Sequence, residues 1–99
     1  MTDLVRHWPR ELERLLSGLH PRPTDPNCLV AEVDVSEDEM RLLNLFEGSA
    51  RHEHVTFENP TTSRPCLAHL NTPIGLGAPA DRKNHVARVR IILTGVQPH

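Results

Sequence analysis

The sequence predicts an α+β domain in which two helices pack on a small, mostly antiparallel sheet of about four strands, in the order α-β-α-β-β-β. Three observations lead there. Apolar residues near the N-terminus recur at helical spacing, and Ser36-Glu-Asp-Glu39 opens a second apolar-rich segment as a capping box. Residues 29–35 and 85–93 alternate apolar and charged side chains with period two, as half-buried strands do. At 99 residues the chain has room for a single domain with one modest core. Only Trp8, Phe46 and Phe57 are aromatic, so that core has to rest on thirteen leucines and the β-branched residues.

Leu4, Trp8, Leu12, Leu15 and Leu19 form one helical stripe. Proline belongs in a first turn, so the regular helix is expected from Pro9 through Ser17, with Gly18 at its end and residues 1–8 either adding a short turn or staying loose. Residues 20–27, HPRPTDPN, read as a stiff proline-rich connector. In the strand that follows, Leu29, Ala31, Val33 and Val35 take one face and Glu32 and Asp34 the other. The helix capped by Ser36 then runs to Gly48, and its second half, apolar nearly all round, is expected to be buried. HVTFE (54–58) and CLAHLN (66–71) are short strand candidates. Residues 72–85, rich in glycine and proline, read as a mobile loop. The last strand, 85–93, turns Ala87, Val89, Ile91 and Leu93 inward and Arg88 and Arg90 outward, and Gly95 and Pro98 end it.

Charge is unevenly spread. Residues 27–50 carry six acids against Arg41, whereas residues 51–99 carry six bases against Glu53, Glu58 and Asp81. Pairing the two alternating strands would set Glu32 and Asp34 across from Arg88 and Arg90, neutralising both rows within the fold. A net charge of −2 gives no general pull toward nucleic acid. Nucleic-acid binding is a further alternative, with Arg64, Arg82, Lys83, Arg88 and Arg90 as phosphate contacts; the acid-led second helix and the lack of an aromatic platform speak against it. Two cysteines, Cys28 and Cys66, are too few for a disulfide framework and each opens an apolar run. With no signal-peptide pattern and no apolar run long enough for a membrane span, the expected compartment is the cytoplasm.

Beside that alternative, the residues that can carry chemistry suggest two functions. Loops on a rigid scaffold commonly bind partners. In the loop 72–85, Ile74 and Leu76 offer apolar anchors, and Arg82 and Lys83 would steer an acidic partner. The chain therefore reads first as a non-enzymatic protein-binding module or regulator, self-associating through a strand edge or the Trp8/Leu12 stripe, with no cofactor expected. The alternative is a zinc or iron protein, structural or catalytic, using His52-x-His54 and Cys66-x-x-His69, since a thiolate and imidazoles suit a borderline metal.

Overall fold

A computed structural model describes residues 5–99. Its elements are β1 (Val5–His7), a 3-10 helix (Arg10–Leu16), β2 (His20–Arg22), β3 (Asp25–Val35), α1 (Glu37–Ser49), β4 (His54–Asn59), β5 (Arg64–Leu70), β6 (Ile74–Gly77) and β7 (Ala87–Pro98). Strand makes up 48% and helix 21% of these residues, which overturns the expected α+β balance of two helices on about four strands. Seven strands form one sheet ordered β1-β4-β5-β7-β3-β2, with β6 beside β7. Only the β1–β4 pair is parallel.

The four strands legible in the sequence are present as β3, β4, β5 and β7, and the additional strands β1, β2 and β6 are three or four residues long. Such pieces show no alternation; backbone hydrogen bonds recruit them to the border of a longer strand. Residues 5–7, expected to add a short turn or stay loose, run along β4, and Trp8 N–H continues the contact to Thr56 O at 2.8 Å. Residues 1–4, with Leu4 of the predicted stripe, lie outside the described residues. The supposed connector 20–27 is instead a hairpin: β2 pairs β3, and Pro23-Thr24 turns the chain between Arg22 and Asp25. Pro21 is tolerated there because β2 is the outermost strand.

The first helix is tighter than predicted. Its bonds run three residues back, from Leu12 N–H to Pro9 O and from Ser17 N–H to Arg14 O. The indole N–H of Trp8 donates to Leu12 O at 2.7 Å, occupying the carbonyl that an α-helix would offer to Leu16. Trp8 and Leu12 are buried core residues, with Trp8 edge-on to Phe46 at 5.4 Å.

Helix α1 starts as predicted. Ser36 Oγ accepts from Glu39 N–H, and the Glu39 carboxylate accepts from Ser36 N–H. It continues through Gly48 to Ser49 rather than stopping. The expectation that its second half is buried does not hold: Leu43 is enclosed, but Leu45 is 65% and Leu42 40% exposed. A helix lying on one layer of sheet can bury only one stripe, here Met40, Leu43, Phe46, Glu47 and Ala50.

Both helices sit on the same face of the sheet. The core beneath them takes Leu29, Ala31 and Val35 of β3, Val89, Ile91 and Leu93 of β7, Ala68 and Leu70 of β5, and Val55 and Phe57 of β4. Strand β7 does not end at Gly95. Gly95 and Val96 together oppose Ala68 of β5, a bulge in which Gly95 takes φ +61° and Val96 returns to the core. Beyond it, Asn71 N–H donates to Ile92 O and β6 pairs Arg88–Arg90, so residues 64–77 track one side of β7 as an interrupted strand.

Two substitutions test this packing. Leu43→Ala should cost about 2–5 kcal/mol in urea unfolding, while Leu45→Ala stays within about 0.5 kcal/mol. Equal losses would mean that α1 is oriented differently. Gly95→Ala should cost about 1–2 kcal/mol, because an alanine in the left-handed region is strained.

Candidate functional site

The sheet face away from the helices carries most of the polar side chains that can act. The β3–β7 register sets Glu32 opposite Arg90 and Asp34 opposite Arg88, as the charge pattern implied. Arg88 Nη1 donates to Asp34 Oδ1 at 2.9 Å, and Arg90 lies 3.5 Å from Glu32. Beside them Cys28, Val30 and Ile92 form a small apolar cluster on the same face. Both cysteines are free and buried, Cys28 here and Cys66 in the main core.

Asp34 does more than pair with Arg88. Its Oδ2 accepts Ala80 N–H at 3.0 Å and Asp81 N–H at 3.1 Å, pinning the chain before β7 onto β3. Asp81 shapes the turn itself: Oδ1 accepts Lys83 N–H and Oδ2 accepts the Asn84 side-chain amide, both at 3.1 Å. The segment 72–85, predicted as a loop, therefore holds strand β6 and a turn with side-chain anchors. The Asp81 and Ala80 N–H groups and the Arg88 guanidinium hold the Asp34 carboxyl below the ordinary carboxylate range, with the Asp81 amide contributing most. Asp81 is lowered as well, chiefly by Asn84 and then by Lys83 N–H.

From this frame Ile74 stands 43% exposed and Val86 57% exposed, while Leu76 is half-buried. Arg82 and Lys83 are exposed and make no ion pair among the described residues. Three of the predicted contact residues, Ile74, Arg82 and Lys83, thus share an exposed segment. Val86 was missed because it falls inside the expected strand 85–93, whereas β7 begins only at Ala87, and Asp34 because its loop partners are 46 and 47 residues away. The Asp81-Arg-Lys-Asn84 run carried the one local signal, an aspartate able to bond the backbone two residues on.

The predicted metal quartet is divided by the sheet. Cys66 faces the core, and His52 lies in the turn before β4 rather than on a strand with His54. His54 and His69 remain together on the helix-free face, with ring centroids 4.2 Å apart. Among the described residues no group of three or more His, Cys, Asp or Glu side chains converges as a ready-made metal site.

The surface also holds two concavities. A cleft of about 680 Å³ between the 3-10 helix and the end of β4 is lined by His7, Trp8, Glu13, Phe57 and Glu58, among others. In it Thr56 Oγ1 and His7 Nδ1 share a hydrogen bond of 2.7 Å, and no carboxylate among the described residues bonds the other nitrogen of that ring. The arrangement is an imidazole–hydroxyl pair without an orienting third group. A second concavity of about 310 Å³ lies on the main-core side near Leu29, Cys66 and Val96 and is rimmed by four prolines.

Comparison with protein-family models, with characterised proteins and with solved structures returns no match. The chemistry of the chain must be read from its own residues. No helix among the described residues is long and apolar enough to cross a membrane.

The depressed carboxylates set a pH dependence. Glu39 is also lowered, first by its hydrogen bonds from Arg14, whose guanidinium donates at 2.7 and 3.0 Å. A carboxyl whose folded pKa lies below its unfolded value stabilises the fold above that unfolded value, near pH 4 for these side chains. That stability is lost as the pH falls through the folded pKa. The urea midpoint should therefore hold steady from pH 7 to about pH 5 and fall below about pH 4. The double variant Asp34→Asn/Glu39→Gln should show a smaller fall, and an unchanged profile would remove these groups as its source.

Proposed function

We propose that the chain is a protein-binding module whose contact surface is built from β6 and residues 81–86. The observation that carries this reading is the pinned turn. Arg82 and Lys83, exposed and without an ion pair among the described residues, stand on a turn fixed by Asp34 and Asp81, flanked by the exposed apolar side chains of Val86 and of Ile74 on β6. Holding such groups in place before binding lowers the ordering cost of association. Strand β6 is hydrogen-bonded to β7 on one side only, which leaves backbone donors and acceptors for an extended segment of the partner. The partner that fits is acidic near the turn and apolar where it meets Ile74 and Val86. The cations give it rate and orientation, and the apolar pair gives it persistence.

The reading is tested with the variant Arg82→Glu/Lys83→Glu in affinity capture at low and high salt, with Arg10→Glu/Arg22→Glu as a charge-matched control. An acidic protein should be retained by the parent and the control, lost from the first variant, and released from the parent by salt. Equal capture by all three with no salt dependence would refute the assignment of this surface.

A further inference from the structure

We propose that His54 and His69 form a two-imidazole binding site for a divalent first-row transition-metal ion, with Cu²⁺ its tightest occupant. The antiparallel register that sets Val55 opposite Ala68 brings the next residues, His54 and His69, opposite each other on neighbouring strands. Their rings lie side by side on the helix-free face, with centroids 4.2 Å apart and planes inclined by 38°. A shared ion needs one nitrogen from each ring within roughly 4 Å of the other, twice a metal–nitrogen bond. With the ring centroids 4.2 Å apart, the pair is within reach of that separation.

The ring nitrogens are also available. His7 is bonded to Thr56, His20 to Gly18 O and His85 to Asp81 O. Among the described residues neither the His54 nor the His69 side chain has a hydrogen-bond or ion-pair partner that coordination would displace. Both strands are held on each side: β4 lies between β1 and β5, and β5 lies between β4 and β7. Behind His69 the Gly95 bulge presents no side chain, and a Cβ there would sit 3.9 Å from His69 Cδ2. The ring pair is thus set by the sheet before any ion arrives.

The donor set decides the class of ion. Neutral imidazoles suit Cu²⁺, Ni²⁺ and Zn²⁺ rather than Mg²⁺ or Ca²⁺, and affinity for a given nitrogen site peaks at Cu²⁺. With two protein ligands, the remaining coordination positions belong to water. Binding is then reversible, and its structural consequence is a cross-strand link between β4 and β5. Because this site stands on residues apart from β6 and the 81–86 turn, it does not depend on the protein-binding role.

Titration of untagged, metal-free full-length protein with Cu²⁺, followed by calorimetry and by thermal melting, tests the site. One equivalent should bind and raise the melting temperature. Affinity should fall at least tenfold in His54→Gln and in His69→Gln, with the melting shift lost, while His52→Gln and His20→Gln behave as the parent. Undiminished binding in the first two variants, an equal loss in His52→Gln, or binding without any thermal shift would each overturn the assignment.

Discussion

Everything in this fold is referred to the antiparallel pairing of β3 with β7. Seven successive residue pairs, from Leu29–Leu93 to Val35–Ala87, lock two strands whose alternation is in phase. A slip by one residue would turn either Ala31 and Val35 or Val89 and Ile91 to the wrong face, so the core admits one register. That register also matches acid to base on the opposite face. Hydrophobic and electrostatic preferences therefore agree on the same alignment, and the remaining strands add to either side of this pair.

The top of the same pair holds the helices and the 81–86 turn in place. Asp34 reaches two backbone N–H groups and Arg88 with its carboxylate, while its carbonyl accepts Arg14 Nη2 at 2.7 Å. Arg14 in turn grips Glu39, which closes the capping box on Ser36. One corner thus joins the 3-10 helix, the start of α1, β3, β7 and the turn that carries Arg82 and Lys83. Each carboxylate there serves a packing role and positions a surface group at the same time. The lowered pKa of Asp34 reflects that concentration of donors.

The two proposed surfaces are separated by the sheet's own geometry. The surface proposed for protein binding lies where β6 runs beside the first half of β7, and the imidazole pair lies where β5 runs beside its second half. Asn71 and Pro73, between β5 and β6, divide them. The helix-bearing face contributes the core, and its exposed leucines, Leu42 and Leu45, follow from a single helix resting on a single layer.

Read alone, the sequence determined those features whose cause is local or periodic. The alternation of 29–35 and 85–93, the Ser36 capping box and the facing charges of Glu32, Asp34, Arg88 and Arg90 all repeat at spacings a chain can display. Tertiary structure decided the rest. Strands β1, β2 and β6 are too short to carry a pattern and exist because a neighbour offers hydrogen bonds. The 3-10 form of the first helix depends on where the Trp8 indole settles, and the exposure of Leu45 on which stripe of α1 meets the sheet. That Cys66 and His69, three apart on one strand, face opposite ways follows from spacing; that His54 meets His69 does not, because only strand pairing matches residues of different strands.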